Sequence, residues 1–463
     1  MERQTPIMDA IYSVCEDSAA RFCMPGHKGD TGFFGGDMLK FDITELPGTD
    51  NLLAPSGAIK KSEQLHADYI GAEQVHYTTG GSTAGVHAML SLFCGKKVIF
   101  ARGVHASVAN AIVMFAITPV YLPSEACDYP SVTSAQAIKI ALKKNKDAAA
   151  VFIVYPNYFG LCCDIAGIEQ IAHKAGTALV VDGAHSAHFA YSSLLPISPA
   201  DAGADIWTQS THKTLPAMNQ CACVCIGKAS LISGERVKRA LTKVQTTSPS
   251  YLLLCSIDYA HGYMRELGER ELFRIISAAE RFVQVVNILP LFSIPKIAIS
   301  VGEGIDPLKI IIDVSKTGLS GMTVKKRLAA QGIHVEAADT NNILLLLSVG
   351  DTAAHLDLLY QELSRIERVY GKSIYFSPYS LPNATKYSQK FKFCDNIEKV
   401  RIERATGRVC AATVCVFPPA EVVVHAGQLI SFEMAGYILE AKRQGFEVFG
   451  ISEDGIEVYE ENV

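Results

Sequence analysis

Leu179-Val-Val-Asp182-Gly-Ala-His185 and, further on, Ile206-Trp-Thr-Gln-Ser210-Thr-His212-Lys213-Thr214 decide the reading of this chain. The first is a short apolar strand that ends in an acid. The second sets a lysine among hydroxyls and a histidine. Such a lysine, downstream of a strand-end aspartate, suits pyridoxal phosphate: Lys213 forms the Schiff base, the hydroxyls and imidazole bind phosphate, and Asp182 keeps the pyridine nitrogen protonated so that the ring accepts electrons. Ser-Thr-His-Lys alone reads equally well as a surface lysine behind a buried strand. The upstream acid and a separate glycine-rich turn favour the cofactor.

That turn is Thr78-Thr-Gly80-Gly81-Ser82-Thr83-Ala-Gly85, ahead of a helical pattern over Val86–Phe93. Small residues let the backbone approach closely, and amides at a helix N-terminus with two hydroxyls make an anion site. By itself the turn is more simply an N-cap; with Lys213 it reads as a phosphate cradle. His105, in Ala101-Arg-Gly-Val-His105-Ala-Ser107, follows the apolar run Lys97–Phe100. A histidine at a strand's carboxyl end can stack on a cofactor ring, because ligands of open α/β sheets gather there; a surface loop histidine fits that segment as well. Asp182, His185 and His188 recur every third residue and also permit a metal site. A further ligand cluster is missing, and the cofactor accounts for the acid without one, so no metal is expected. His188 reads as a core or interface histidine.

With 463 residues the chain can bury a large core and hold more than one domain. A net charge of −5 and the lack of any basic run argue against nucleic acid. The start, Met1-Glu-Arg-Gln-Thr-Pro, lacks an apolar signal core, and no apolar run is long enough to span a membrane. The thirteen cysteines then read as reduced thiols of a cytoplasmic protein. Cys221, Cys223 and Cys225 alternate along an apolar run, as small packed residues on one strand face rather than metal ligands.

Short apolar strands at Lys97–Phe100, Val120–Leu122, Ala149–Val154, Leu179–Val181 and Cys221–Ile226 alternate with amphipathic helices at Ala135–Lys144 and Ile165–Lys174. The pattern predicts an α/β fold with a mostly parallel sheet. A long helix from Tyr251 to about Leu289 can bridge two domains. A smaller α/β unit follows: strand Lys309–Val314, helix Thr323–Ala330, strand Ile343–Val349 and helix Ala353–Ile366. The expected division is an N-terminal segment at 1–70, a cofactor-binding large domain at 71–305 and a C-terminal small domain at 306–463.

Seven stretches carry a resemblance: Phe22-Cys-Met-Pro-Gly-His-Lys-Gly29, Asp42-Ile-Thr-Glu-Leu-Pro-Gly48, Gly80-Gly-Ser-Thr83, Tyr155-Pro-Asn-Tyr-Phe-Gly160, Asp182-Gly-Ala-His185, Gln209-Ser-Thr-His-Lys-Thr-Leu-Pro216 and Thr247-Ser-Pro-Ser-Tyr251. In these, and in their order, the chain resembles the pyridoxal-phosphate-dependent ornithine/lysine/arginine decarboxylases of the aspartate-aminotransferase-like fold, fold type I. It is similar to their compact form, without the N-terminal wing domain of larger members. The resemblance implies decarboxylation of arginine, lysine or ornithine to an amine of polyamine metabolism. It implies that Lys213 carries the cofactor, Asp182 pairs with its pyridine nitrogen, His105 stacks on the ring and His185 lies near its edge. Gly81, Ser82, Thr83, Ala184, Ser210 and His212 complete the cofactor site, with Thr247-Ser248-Pro249 supplied by a partner subunit in a homodimer or larger homo-oligomer.

Departures from the family pattern concern substrate. Gly183 stands where the family usually has glutamate, and Ala106 where it has lysine. The family's Tyr-Pro-Pro-Gly-Ile-Pro…Pro-Gly-Glu is here Phe417-Pro-Pro-Ala420-Glu421-Val422…Ala426-Gly427-Gln428. Its glutamate, a candidate partner of a basic substrate, aligns with Gln428, and Glu421 is the nearest acid that can compensate. Glu421 and Gln428 are therefore the candidate substrate-binding residues. Two other classes stay open on the residues alone: a pyridoxal phosphate enzyme of another reaction type, such as an aminotransferase or aldolase-like lyase, and a catalytically silent binder of the cofactor.

Overall fold

The computed structural model describes residues 4–460 except 19, 33, 124–131, 298–299, 301, 369–380, 388–395, 418–420 and 453–454. Pro418, Pro419 and Ala420 of the altered C-terminal segment thus lie outside the described residues. The chain forms two compact units that interleave along the sequence. The first comprises 1–92, 178–274 and 348–350; the second comprises 93–177, 275–347 and 351–463.

In the first unit four strands lie in the order Gln74–Thr78, Ala222–Ile226, Ile206–Gln209, Ala178–Asp182. The last two run parallel, with Asp182 opposite Thr208. Ala222–Ile226 is antiparallel to both of its neighbours. The reason is local: a parallel return needs a long crossover, whereas the chain between Gln209 and Ala222 holds a single helical turn, Thr211–Thr214. Every residue of Ala178–Asp182, Ile206–Gln209 and Ala222–Ile226 is buried. Strands covered on both faces are expected to read as continuous apolar runs, and these do, apart from the polar residues discussed below. The helix Gly81–Ser91 packs on this sheet. A Cβ on Gly85 would overlap the Thr208 hydroxyl, so only glycine permits the approach.

The second unit has a parallel set with Lys97–Phe100 between Thr118–Tyr121 and Ala148–Val154. The helices Ala135–Lys144 and Ile165–Lys174 fall where the apolar periodicity puts them. Ser134 and Asp164 cap them, accepting from the Ala137 and Gly167 amides. The Tyr251–Val286 helix carries the chain from one unit into the other. Beyond it lie three small antiparallel sheets, the first pairing Lys309–Asp313 with Asn342–Leu346. The last part has its own core, with Val414, Val424, Ile438 and Val458 within it. No helix among the described residues is long and apolar enough to cross a membrane.

Candidate active site

Two neighbouring strands in the first unit end in polar residues and are apolar before them except at Thr208. Asp182 closes Ala178–Asp182, and Gln209 leads from Ile206–Gln209 into the turn of Lys213. Parallel pairing sets both carboxyl ends side by side, the usual place for a ligand in an α/β sheet. The Ser210 amide donates to the Ala184 carbonyl at 3.3 Å and ties the two strand ends together. Asp182 is 5% exposed; its Oδ1 accepts from the Ala184 amide at 3.1 Å. Lys213 Nζ lies 3.1 Å from His185 Nε2.

The glycine-rich turn reaches the same place. Gly81 has a φ of +68°, and its amide donates to the Gln220 carbonyl at 2.9 Å. The helix that starts there has Gly80 as N-cap and no side-chain cap. Ser82 Oγ is 2.8 Å from Ser210 Oγ. Thr208 Oγ1 has one proton and gives it to the Cys223 carbonyl at 2.9 Å, in preference to Ser82 at 3.4 Å. Of the protons on Ser82 and Ser210, one closes their mutual bond and one is left to donate. Thr83 is exposed. His212 Nδ1 faces the Cys221 carbonyl at 2.9 Å. A carbonyl only accepts, so Nδ1 carries the proton. Burial first, with Lys213 adding to it, holds the His212 pKa below the ordinary imidazole value. Ser248 is exposed, ahead of the Tyr251–Val286 helix, and its amide donates to Thr246 Oγ1.

In the second unit His105 is the N-cap of Ala106–Met114. Its Nδ1 accepts from the Ser107 amide at 3.1 Å, which sets the ring's direction. The backbone of His105 forms a bridge with Glu421. A Cβ on Gly103, two residues before His105, would stand 2.8 Å from Glu421 Oε1. Glu421 is half-buried, and burial raises its carboxyl to about 7 although Arg102 opposes the shift. Arg102 donates to the Pro382 carbonyl at 2.8 Å and sits over the Tyr121 ring. Tyr121 Oη is hydrogen-bonded to His425 Nε2, a ring that burial lowers to about 3. Gln428 is 1% exposed and uses both ends of its amide in its own surroundings. Its Oε1 accepts from the His425 amide at 2.9 Å, and its Nε2 donates to the Thr385 carbonyl at 3.3 Å.

The pattern of the Orn/Lys/Arg decarboxylase major domain matches residues 5–301. The chain belongs to this family. Its sequence is 29% identical to an arginine decarboxylase of Halalkalibacterium halodurans, over 98% of this chain and 96% of the relative. It is also 29% identical to an arginine decarboxylase of Bacillus subtilis, over 97% and 96%. The solved Francisella novicida lysine decarboxylase superposes with a TM-score of 0.83 at 18% identity, over 99% of this chain and 82% of that one. A NifS-like protein does so at 0.56 and 14% identity, over 79% and 96%. The fold is therefore that of the fold type I pyridoxal phosphate enzymes, and as a member of the Orn/Lys/Arg decarboxylase family the chain is an amino acid decarboxylase.

The first-unit residues fit the cofactor that this family implies. Asp182 Oδ2 has no hydrogen-bond partner among the described residues, so a carboxylate almost closed to water keeps one acceptor open. The uncapped helix start and the Ser82–Ser210 pair offer donors to an anion. Ser82, Asp182, Ala184, His185, Ser210, His212 and Lys213 thus form one hydrogen-bonded neighbourhood around the two strand ends. His105, Glu421 and Gln428 belong to the other unit. Sequence reading passed over Thr208, a hydroxyl inside a buried strand, and Arg102, which folding sets over Tyr121 and near Glu421, with His425 bonded to Tyr121. For Thr208 a signal existed: it is a polar residue in an otherwise apolar run.

Proposed function

We propose that this chain decarboxylates a basic amino acid, arginine or lysine ahead of ornithine, with pyridoxal phosphate carried on Lys213. The observation that carries the reading is the Lys213 amine beside His185, which lies three residues beyond the buried Asp182 carboxylate with its open oxygen. When bound, pyridoxal phosphate supplies a protonated ring that draws off the electron pair left as CO2 departs. Asp182 holds the proton on the pyridine nitrogen, because a carboxylate beside it favours the charged form. Ser82, Thr83, Ser210 and the amides after Gly81 bind the phosphate. His212 has its Nδ1 proton engaged, so it joins them only by taking a second proton at Nε2, which a nearby phosphate favours. Lys213 is the residue that would hold the cofactor through its amine. His185 accepts at Nε2 and keeps the Lys213 amine aimed. Ala184 and His105 are the residues that would contact the ring.

Glu421 is the acid proposed to meet the substrate's basic end, with Gln428 bracing its loop. Ser248 is proposed to enter the site of a second copy, which makes a homodimer the smallest working unit. A cytoplasmic setting goes with the free thiols, such as Cys94, Cys221 and Cys225. The test is a screen of the purified protein for CO2 and amine from arginine, lysine and ornithine, with borohydride reduction alongside. The expected result is CO2 from one of the three and a pyridoxyl label on Lys213. A label on another lysine, or a Lys213 label with no CO2 from any of the three, defeats the reading.

A further inference from the structure

A helix of four residues has no stability of its own, since a single turn fixes several dihedrals for very few hydrogen bonds. The turn that presents Lys213, Thr211–Thr214, must be held from outside. One side is evident: His212 is bound through Nδ1 and its backbone amide to the Cys221 carbonyl. The other side is a buried aromatic stack that the proposed chemistry leaves unused. Thr211 Oγ1 lies 3.4 Å from Nε2 of His261, a fully buried residue of the Tyr251–Val286 helix. His261 Nδ1 lies 2.8 Å from Tyr191 Oη. The His66 ring stacks on His261 with centroids 3.4 Å apart at 28°, and neither His66 nitrogen has a hydrogen-bond partner among the described residues. Tyr77 lies nearly parallel to His261 at 6.1 Å.

We propose that His261, stacked on His66 and hydrogen-bonded between Tyr191 and Thr211, is a positioning residue that fixes the turn presenting Lys213. The proton arrangement supports a one-way clamp. Burial lowers His66 and His261, with Arg265 adding to both, so the rings are neutral. Burial raises Tyr191, so its phenol keeps its proton. A phenol donates to an imidazole nitrogen better than it accepts from one. Tyr191 then gives its proton to Nδ1, and the Nε2 proton of His261 points at Thr211. His66 needs no hydrogen bond for its part; as a flat plate it prevents His261 from turning. Neutral rings keep this geometry when the pH changes around neutrality.

The inference rests on Lys213 being the working lysine, so its test reads the lysine before it reads activity. Full-length wild type, Thr211→Val and Thr211→Ser are stripped of any bound pyridoxal with phenylhydrazine. The rate of reductive methylation at Lys213 is then followed by mass spectrometry. Valine keeps the shape of threonine but not the hydroxyl; serine keeps the hydroxyl. With the clamp lost, the amine leaves His185, so Thr211→Val should methylate about fivefold faster and Thr211→Ser at the wild-type rate. In the reconstituted enzyme Thr211→Val should lose about tenfold in kcat with KM within about twofold, and serine should restore it. Wild-type methylation in Thr211→Val overturns the proposal. So does a Thr211→Ser protein that is folded yet as altered as the valine variant, since packing rather than the hydroxyl would then hold the turn. Failure of the cofactor reading looks different: the borohydride label misses Lys213, while the methylation rates still decide the clamp.

Discussion

Gly183 shows how one missing side chain shapes the site. The family pattern has glutamate here, yet a Cβ at 183 would stand 2.6 Å from Ser186 Oγ and 2.9 Å from the Thr208 carbonyl. The backbone between Asp182 and His185 is therefore pressed onto the next strand, and any side chain must push them apart. Gly183→Ala should cost about 1–3 kcal/mol in urea unfolding, the usual penalty for overpacking. Asp182→Asn tests the neighbouring residue: the variant should retain bound pyridoxal, measured by its visible absorbance, and lose at least about a hundredfold in kcat. Near-normal turnover with full occupancy would remove Asp182 from its role. Glu421 allows a pH prediction. Its carboxyl titrates near 7, so its negative charge is present above that pH and absent below. If it pairs with a basic substrate, KM should fall as pH rises through about 7, and Glu421→Gln should raise KM more than it lowers kcat and abolish the slope. Asp182 stands out in the sequence because it ends an apolar run, Lys213 because hydroxyls and a histidine flank it, and Ser82 because it follows two glycines; folding joins the three in one hydrogen-bonded neighbourhood. The groups around Glu421 and Thr211 do not stand out. Arg102, Tyr121 and Glu421, or Thr211, Tyr191 and His261, meet across long stretches of chain, and nothing local marks them.

At the scale of elements, helices were readable from periodicity, and Ala135–Lys144 and Ile165–Lys174 have the expected ends. The antiparallel return of Ala222–Ile226 was not, because an apolar run shows that a strand is buried but not which way it runs. Another feature hidden from sequence is the start of the N-terminal helix Pro6–Asp17. Its N-cap, Thr5, makes no side-chain cap. Instead Asp258, from the Tyr251–Val286 helix, accepts from the Ile7 amide at 2.8 Å and the Met8 amide at 3.1 Å. Ser62 donates to its other oxygen. Asp258→Ala should cost about 2 kcal/mol and speed amide exchange through residues 6–17, as expected when buried donors lose their acceptor. The same group carries a linkage. Burial raises its carboxyl to about 6, so the fold binds this proton more tightly than the unfolded chain does. That contribution is complete below the unfolded value and is lost as pH rises through about 6. Between pH 5 and 7.5 wild type should lose about 1 kcal/mol relative to Asp258→Asn in urea unfolding. An equal response of the two proteins would show that Asp258 does not titrate in this range.

On the scale of the whole molecule, the first unit exposes large apolar side chains near the start of the chain. Phe22 is 97% and Met24 58% exposed, and Phe34 is fully exposed. Large apolar side chains gathered in one segment mark surfaces that another chain covers. Sedimentation at micromolar concentration should show a homodimer or larger species and little monomer, and Phe22→Asp with Phe34→Asp should shift the distribution toward monomer and lower activity together. A monomer with full activity would exclude shared sites. The contact between the Gly81–Ser91 helix and the Ile206–Gln209 strand has a consequence of another kind. It leaves no room for even a methyl group at Gly85, so the helix start proposed to bind phosphate and the turn of Lys213 stand on one stiff mount. Such a cradle is preorganised: little backbone freedom remains to be lost when phosphate arrives. Titration calorimetry with inorganic phosphate should then show a small entropic penalty, and a Gly85→Ala protein, forced to open that seam, should bind phosphate more weakly through a less favourable entropy.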